Sequence, residues 1–461
     1  MADFTVILQD PNIRALVQDG ILERAFHDAL FPRLLYRGEA APVIFPGNVG
    51  DSMFFTGTGL IPPNGQPIVP GQDPIPQTYT EEQWNAIVQQ YAQTIDTHMP
   101  TSIVAIANLF LRNAQQLGLA AGQTLNRIVR NRMFNAALSG NTVASASGAA
   151  TTSLPVVRLN GFTRSRRPDL ALGSPVQFSV VTGNNPLPIN IIHAGVPLSV
   201  NVIGFSSTNP GDEVGPGTLT LDVAQTFSSR DPVISNDASV LVRVGGGNSI
   251  DSINAGSLLT MQAVRSAVSR MRQENVPEHT DGAFHCHLDP TSESEIFADP
   301  EWQRLHTSLP DYFMYKQFGI GYILGVAFFR NTESPLKETV GDKSGNYILT
   351  DPFPGELLNA SSVPVHRALF TGQGGIMEYY IDLALLLTEA GVTGKVGEPR
   401  ISNNGIEVNT ERIQLLLRSP LNRLQDLVSA SWKFMGDWPI RTDATTGDAA
   451  RYKRFVAIEH G

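Results

Sequence analysis

The sequence predicts an α+β fold whose main body is interrupted by an inserted all-β domain. Apolar residues recur at helical spacing over a long segment that opens at Pro100 and ends near Gly140. Residues 154–250 instead carry short β-prone runs separated by Gly, Pro, Asn and Asp turns. Helical and strand patterns are mixed after residue 250, which is typical of an α+β body.

The first 96 residues predict an arm followed by an extended loop. Residues 1–37 form the predicted N-terminal arm, since apolar residues lie near helical spacing within 11–36. Residues 38–96 form the predicted extended β-loop, in which 38–80 are rich in glycine and proline and 82–96 supply a returning strand. Such a composition cannot pack a core of its own.

A long helix and a linker are predicted next. The helical pattern assigned to residues 97–140 would extend about 60 Å at 1.5 Å per residue. Gly118 and Gly122 inside it each cost about 1 kcal/mol and permit a bend. Residues 141–153 are almost entirely Ser, Ala, Gly and Thr, which predicts a flexible linker.

The inserted domain and the body follow. Residues 154–250 predict a separate barrel or sandwich that folds alone, with strands at 177–181, 189–192, 198–203, 219–223 and 239–244. Residues 251–461 complete the body. Within them we expect helices at 256–275, 376–390 and 410–418, and strands at 320–329 and 454–459.

Composition excludes several functional classes. The 33 basic residues against 43 acidic ones give a net charge of -10, which argues against a broad surface for phosphate backbones. The single cysteine, Cys286, excludes an internal disulfide and a multi-cysteine zinc site. The start lacks signal-peptide features, and no stretch of about 18 apolar residues marks a membrane span. We therefore expect no membrane association and a cytoplasmic site of synthesis.

One cluster suggests a metal site at first sight. His285, Cys286 and His287 are consecutive, with His279 and Asp289 nearby. In a strand, side chains alternate between faces, so the two histidines of the triplet share one face and the cysteine points to the other. This separation breaks the chelate, and an ordinary strand with a buried cysteine is the favoured interpretation over a metal site.

Glycine motifs do not indicate a nucleotide site. Gly319, Gly321 and Gly325 approach a dinucleotide fingerprint, but the last spacing is one residue too long and a strand-like run follows. The triplet 245–247 lacks the lysine of a phosphate loop, and the glycine–lysine pair 394–395 is followed by valine.

Charged clusters do not indicate a catalytic site. Three carboxylates in a polar segment are expected to be solvated surface: Glu293, Glu295 and Asp299. One arginine group is expected to pair with carboxylates of its own fold or of neighbouring subunits, with weak phosphate contact as the alternative: Arg127, Arg130 and Arg132. A second group lies in a loop and its partner is open: Arg164, Arg166 and Arg167. We predict no catalytic, cofactor-binding or metal-ligating residue, and no cofactor.

Several segments, taken in order, resemble a known family. Residues 90–96 look like the strand that returns from the family's extended loop, and 127–141 like the end of its spine helix. Residues 284–290 resemble a strand of its peripheral domain, 319–329 its glycine-rich strand, and 454–459 its closing strand. The sequence thereby resembles the major capsid proteins of tailed bacteriophages, whose fold is named after phage Hong Kong 97.

This resemblance implies a function and partners. The fold would be Hong Kong 97-like, with extended N-arm, extended β-loop, long spine helix in the peripheral domain, and residues 251–461 as axial domain and remaining peripheral domain. The protein would be a non-enzymatic coat protein that self-assembles, as hexamers and pentamers, into the icosahedral shell of a virion in the host cytoplasm. The shell would enclose double-stranded DNA without sequence-specific binding. Scaffolding and portal proteins would be partners, and decoration proteins stay open.

Two alternatives remain, together with two expectations for the shell. An encapsulin-like shell protein shares the fold, and a β-rich carbohydrate-binding or glycan-active protein would use the insert differently. Residues 38–80 contain no lysine, so we expect no isopeptide crosslinks from that loop. The insert is expected on the capsid surface, since it lacks a dense basic stripe.

Overall fold

The computed structural model describes eleven longer stretches of the chain and several short ones. These are residues 35–45, 52–58, 65, 67, 71–73, 76, 81–98, 109–166, 178–307, 319–331, 361, 363–381, 400–402, 405–410, 412–418, 427–442 and 451–461. The predicted arm lies outside the described residues except for its last three positions.

The described chain contains 23 strands and four α-helices. The helices are α1 (Leu109–Ala137), α2 (Met261–Gln273), α3 (Pro290–Ala298) and α4 (Pro300–Thr307). The strands are β1 (Ala41–Ile44), β2 (Ser52–Thr58), β3 (Glu81–Ile87), β4 (Gln89–His98), β5 (Asn141–Val143), β6 (Gly148–Val156), β7 (Arg164–Arg166), β8 (Phe178–Val180), β9 (Leu187–His193), β10 (Val196–Ser207), β11 (Gly217–Phe227), β12 (Pro232–Ser235), β13 (Leu241–Arg243), β14 (Phe284–Leu288), β15 (Gly319–Ile323), β16 (Val326–Arg330), β17 (His366–Thr371), β18 (Met377–Tyr380), β19 (Arg400–Ser402), β20 (Gly405–Thr410), β21 (Ile413–Arg418), β22 (Leu427–Asp437) and β23 (Phe455–His460). Two short 3₁₀ helices lie at Arg37–Glu39 and Ile250–Ser252.

The chain divides into two compact units. The first comprises Met1–Met53, Asn85–Arg130 and Ile376–Pro439. It contains a seven-stranded sheet in the order β1-β18-β22-β21-β20-β19, with β4 also paired to β22. Strand β22 alternates between half-buried and buried residues, and the buried set includes Trp432 and Phe434. Trp438, just after the strand, stacks on Phe434 with ring centroids 4.9 Å apart.

The second unit comprises Phe54–Trp84, Asn131–Gly375 and Ile440–Gly461. Its body sheet has the order β13-β23-β17-β14-β16-β15. Helix α2 is amphipathic, and its apolar side packs in one core with residues of this sheet such as Cys286, Phe328 and Ile458. Asp289 is the N-cap residue of helix α3, and its side chain accepts a hydrogen bond from the Ser292 backbone N–H at 3.0 Å.

The insert is a six-stranded sheet in the order β5-β12-β9-β10-β11-β6. Its two end strands meet, because Ala144 and Val156 form an antiparallel bridge and the Ser145 N–H donates to the Pro155 carbonyl at 2.9 Å. The sheet therefore closes on itself around an apolar core that includes Leu154, Ile191 and Leu219.

The insert begins and ends earlier than predicted. The segment 141–153, predicted as a linker, supplies β5 and most of β6. Strand β13, from the predicted run 239–244, pairs with β23 in the body sheet and so is not part of the insert. Small side chains lower β-propensity. The segment is nevertheless ordered, because β5 forms main-chain hydrogen bonds with β12 and β6 forms them with β11.

The boundaries of the predicted loop and long helix also differ. Within 38–96, β1 pairs with β18 and β4 pairs with β22, so the separate two-stranded part is β2 with β3 alone. Thr97 and His98, assigned to the helix 97–140, are the last residues of β4. The described helix covers Leu109–Ala137, about 43 Å at 1.5 Å per residue.

Two predicted helices of the body are wrong in their described parts. Residues Met377–Tyr380, within predicted helix 376–390, form β18, and residues 382–390 lie outside the described residues. Within predicted helix 410–418, Thr410 is the last residue of β20 and Ile413–Arg418 form β21. The predicted strand 320–329 is a hairpin of β15 and β16, whereas the closing strand is confirmed as Phe455–His460.

Candidate functional site

Strands β2 and β3 form a two-stranded ribbon with one apolar contact face. Phe55 stacks on Trp84 with centroids 5.9 Å apart, and the guanidinium of Arg441 lies 5.5 Å from the Trp84 ring centroid. Gly57 passes beneath the same indole, where a Cβ would lie 3.1 Å from Trp84. These contacts fix one face of the ribbon.

The opposite face of the ribbon is exposed. Side chains alternate along a strand, so Phe54 and Thr56 point away from Phe55. Thr56 accepts a hydrogen bond from Gln83 Nε2 at 3.3 Å, which places Gln83 on that face too. Phe54 is 61% exposed, the largest fraction among the large hydrophobic residues of the described chain. A phenyl ring in this position offers an apolar contact to another molecule.

Strand β4 presents a second candidate contact surface in the other unit. Ten residues of β4 pair with β22, and seven of those ten are exposed. Among the described strands, β4 pairs with β22 alone. The strand carries polar residues such as Gln90, Gln93 and Thr94 rather than an apolar stripe.

Glu378 is a buried carboxylate that binds Arg37, a residue near the start of the described chain. Glu378 in β18 is bound by Arg37 in a bidentate contact and by Arg412, whose Nη1 donates at 3.0 Å. Arg37 also lies over the Phe434 ring, 5.4 Å from its centroid. Glu378 is 1% exposed, so the two guanidiniums take the place of water as its hydrogen-bond partners.

A second buried carboxylate, Glu459, lies in β23 between two neighbouring strands. Arg243 Nε donates to it from β13 at 2.8 Å, and Arg367 Nε donates from β17 at 3.0 Å. Burial would raise the pKa of Glu459, but the charges of Arg243 and Arg367 bring it below its ordinary value. These ion pairs link β23 to both of its neighbours in the body sheet, β13 and β17.

A histidine pair lies at the end of the same strands. His366 and His460 are cross-strand neighbours, and their rings stack 5.7 Å apart. His366 Nδ1 lies 2.7 Å from Asp289 Oδ2, and this hydrogen bond raises the pKa of His366. Burial would raise the pKa of Asp289, but the hydrogen bonds from His366 and Ser292 lower it. Both shifts favour the charged forms, an imidazolium on His366 facing a carboxylate on Asp289.

Ser292, His460 and Glu295 resemble a catalytic triad in connectivity. Ser292 Oγ lies 2.7 Å from His460 Nε2, and His460 Nδ1 lies 2.8 Å from Glu295 Oε2 without hydrogen-bond alignment. Ser292 and His460 are both 0% exposed, so a substrate could not reach the hydroxyl. The serine hydroxyl also donates a hydrogen bond to Asp289, so its proton is directed at Asp289 rather than at His460. The arrangement stabilises the fold and lacks the access that nucleophilic catalysis requires.

The predicted strand around Cys286 is confirmed as β14. His285 and His287 both contact the Phe329 ring, with centroids at 4.9 and 5.7 Å, which places them on one face. Cys286 is buried in the opposite core, where burial raises the pKa of its thiol. The His279 and His285 rings stack at 3.8 Å.

The glycine motifs lie in turns and strands. Gly319 and Gly321 belong to β15, and Gly325 forms the hairpin turn before β16 with a φ of 77°. The triplet 245–247 follows β13 with positive φ throughout, and residues 394–395 lie outside the described residues.

The three carboxylates expected to be solvated are instead structural acceptors, so that expectation is wrong. Glu293 is buried and bound by both Arg330 Nε and Nη2. Glu295 accepts the Leu259 N–H at 2.7 Å, and Asp299 accepts the Met261 N–H at 2.6 Å. Helices α3 and α4 begin near these groups, and backbone donors at the start of α2 recruit two of them. No local sequence pattern marks these long-range partners.

The arginines of the first group differ in exposure, and only the Arg164 side chain of the second group is described. Arg130 is buried, Arg127 is half-buried and Arg132 is exposed, so the three do not form one surface. Arg164 pairs with Glu213 at 3.2 Å. The side chain of Arg166 and the whole of Arg167 lie outside the described residues.

The described helices include none with the length and apolar character needed to cross a membrane. The most consequential residues that sequence reasoning missed are Glu378, Glu459, His366 and His460, since their partners are distant in sequence. The exposed ribbon was predicted as part of the extended loop, although the position of Phe54 within it was not.

No known family profile matches the sequence, and no curated protein matches it. Among solved structures, the chain is similar to the capsid of Ralstonia phage GP4, at 13% identity and a TM-score of 0.44, over 90% of this chain and 84% of that chain. It is similar to the mature capsid of bacteriophage PhiM1, at 8% identity and a TM-score of 0.46, over 92% and 86% of the two chains. The capsid of cyanophage Pam1 is similar at 11% identity and a TM-score of 0.44, over 94% and 92%.

Proposed function

We propose that this protein is the major capsid protein of a tailed bacteriophage, with a Hong Kong 97-like fold, and that many copies form an icosahedral shell of hexamers and pentamers. In this proposal residues 1–37 are the N-terminal arm, 38–96 contain the extended loop, and 97–140 contain the spine helix. Residues 251–461 supply the axial domain and the remaining peripheral domain. The phage structures compared above are capsids too.

The exposed face of the β2–β3 ribbon is the observation that carries the proposal. A two-stranded sheet is at best marginally stable alone in water. The ribbon is fixed on one face by Phe55 and Trp84 and presents Phe54 on the other. A contact with another copy would bury this ring and stabilise the ribbon, as an obligate assembly requires.

The surface charge suits a container for double-stranded DNA. The exposed arginines of α2 each have a carboxylate partner: Arg265 with Glu301, Arg270 with Glu274 at 3.1 Å, and Arg272 with Glu278 at 3.2 Å. This face therefore lacks the excess positive charge that holds phosphate backbones. Packaged DNA would be enclosed without sequence-specific binding.

The proposal extends to partners and location. Scaffolding and portal proteins would act during assembly in the host cytoplasm, and the mature location would be the virion capsid. The role assigned to the chain is structural rather than enzymatic. The inserted barrel would lie on the outside of the shell, where decoration proteins are a further candidate partner.

Electron microscopy and sedimentation of the purified protein test this function. We expect rings or shells from the full chain and, from Phe54→Ser, folded protein with reduced assembly. Val223→Ser is the matched control, because Val223 is a 56% exposed hydrophobic residue on the barrel strand β11. A wild-type protein that stays monomeric at high concentration would overturn the proposal. Normal assembly of Phe54→Ser would show that this face of the ribbon does not contact another copy.

A further inference from the structure

His279 and His285 lie side by side, one in a turn and the other in the strand that follows it. Two main-chain hydrogen bonds close the turn, from the His279 N–H to the Ala283 carbonyl at 2.9 Å and from the Gly282 N–H to the His279 carbonyl at 2.8 Å. The chain then enters β14, in which His285 is the second residue. The two imidazole rings stack with their centroids 3.8 Å apart and their planes 7° from parallel. The local backbone therefore holds the two side chains next to each other.

Hydrogen bonds at Nε2 set the tautomer of both rings. His279 Nε2 lies 3.1 Å from the carbonyl oxygen of Thr371, the cross-strand neighbour of His285. A carbonyl oxygen only accepts, so the proton of this ring is on Nε2. His285 Nε2 lies 3.0 Å from Asp281 Oδ2. Burial would raise the pKa of Asp281, but hydrogen bonds from His285 and the Ala283 N–H lower it, so this carboxylate accepts from Nε2 as well. A neutral imidazole with its proton on Nε2 has its lone pair on Nδ1.

Contacts of this kind are the ones that metal-binding histidines make. Such a histidine binds the metal through one ring nitrogen and donates its other N–H to a carboxylate or a backbone carbonyl, which orients the ring and strengthens the ligand. His279 has the carbonyl and His285 has the carboxylate. The candidate ligand atoms of the two histidines lie within 4.8 Å of each other, and a Zn–N bond is about 2.0–2.1 Å long. Small rotations of the rings bring both nitrogens to one ion.

Packing and exposure suit a site that is fixed on one side and reached by solvent on the other. The Phe329 ring contacts the His285 ring edge-on, with centroids 4.9 Å apart. The side chain of His285 is 17% exposed, that of Asp281 is 45% exposed, and His279 is half-buried. Cys286 takes no part, because it is buried in the core on the opposite face of β14.

We propose that His279 and His285 bind a divalent transition-metal ion of the zinc class through their Nδ1 atoms, with water completing the coordination. Imidazole nitrogens suit Zn²⁺, Ni²⁺ and Cu²⁺, whereas Mg²⁺ and Ca²⁺ prefer oxygen ligands. Asp281 is a positioning residue, because it holds the His285 ring and does not itself bind the ion. The ion joins the turn to β14, a role that does not depend on shell formation.

Calorimetric titration of the full chain with zinc chloride, after removal of metals with EDTA, tests the site. We expect one equivalent of Zn²⁺ to bind the wild-type chain and this equivalent to be lost in His279→Gln and in His285→Gln. His193→Gln is the matched control, because His193 in the barrel also has a carboxylate partner, Asp231 at 2.6 Å. This variant should bind zinc as the wild-type chain does. Absence of zinc binding by the wild-type chain, or equal binding by the two site variants, would overturn the proposal.

Two further measurements separate a metal site from a purely structural contact. Asp281→Asn removes the charge that strengthens His285 as a ligand and should lower the zinc affinity by about 10-fold to 100-fold. An unchanged affinity would contradict the positioning role of Asp281. Wild-type crystals soaked in zinc chloride should show an anomalous difference peak between His279 and His285 at the zinc absorption edge, a result that stands even where a variant fails to fold. No peak at these two side chains would refute the site.

Discussion

Two buried carboxylates, Glu378 and Glu459, show how single residues hold each compact unit. Each is 1% exposed and each is bound by two arginines from distant parts of the chain. A buried ion pair adds little stability compared with an apolar pair, but removal of one partner leaves an uncompensated charge. These residues are therefore sensitive positions although they lie outside any catalytic site.

Loss of the Glu378 carboxylate should destabilise the first unit strongly. Glu378→Gln leaves the buried Arg37 without a counter-charge, and we expect a loss of about 3–5 kcal/mol in the free energy of unfolding. Urea denaturation followed by tryptophan fluorescence measures it, since Trp432 and Trp438 are buried in this unit. Glu213→Gln is the control, because its pair with Arg164 is 43–44% exposed and should contribute at most about 1 kcal/mol. Similar losses in both variants would refute the assignment.

The His366–Asp289 pair should make stability depend on pH. The pKa of His366 is raised above 6.5, so its contribution is complete below pH 6.5 and is lost as pH rises through the folded-state pKa. The pKa of Asp289 is lowered below 3.8, so its contribution is present above pH 3.8 and is lost as pH falls through its folded-state pKa. The pair contributes most between these values.

His366→Gln should accordingly cost more stability at pH 5.5 than at pH 9. Thermal unfolding of the wild-type protein and the variant at both pH values measures the difference. The exposed His98 offers a control, since His98→Gln leaves the buried pair intact. An equal loss at both pH values would mean that the imidazolium form of His366 does not stabilise the fold.

At the scale of elements, alternation in short strands was predictable. The pattern around Cys286 correctly placed the cysteine and the flanking histidines on opposite faces of β14. Successive side chains of a strand point to opposite faces, so burial of one face buries every second residue. Helix α2 was predicted from apolar residues spaced three and four apart, because a helix that buries one side repeats its buried residues at that spacing.

Other elements were not predictable from local pattern. Residues 413–418 contain only a short apolar run at 415–417, and such a run is compatible with either a buried strand or a buried helix. Residues 141–153 lack β-branched side chains for the most part, yet β5 and β6 gain order from main-chain bonds with partners far along the chain. The buried ion pairs likewise join residues separated by up to 341 positions, so their partners follow from the fold rather than from spacing.

The closure of the barrel predicts which fragment folds. Residues 139–240 contain all six strands of the closed sheet, whereas residues 154–250 lack β5 and most of β6. We expect dispersed amide signals in NMR spectra from the first fragment and a disordered spectrum from the second. Well-dispersed signals from 154–250 would show that β5 and β6 are dispensable, and disorder in 139–240 would show that the barrel needs the body.

For the whole molecule, the balance of charge distinguishes enclosure of DNA from binding to it. The chain carries a net charge of -10, and the arginines on α2 are matched by glutamates. Neutralising these glutamates should expose a basic stripe. We expect the triple variant Glu274→Gln, Glu278→Gln, Glu301→Gln to bind duplex DNA more tightly than the wild-type chain, with a log–log salt slope steeper by about 0.9 for each arginine that contacts a phosphate.

Fluorescence anisotropy with a labelled duplex of arbitrary sequence, measured across a range of salt concentrations, provides this comparison. The single variant Glu213→Gln removes one negative charge beside Arg164 on the insert and should change affinity much less than the triple variant. Tight binding by the wild-type chain would contradict the proposed neutral face, because the paired arginines would then be available to phosphates. An unchanged affinity in the triple variant would mean that the glutamates of α2 do not control that face. The salt slope separates these cases from a general loss of acidity, since net charge alone alters affinity without adding phosphate contacts.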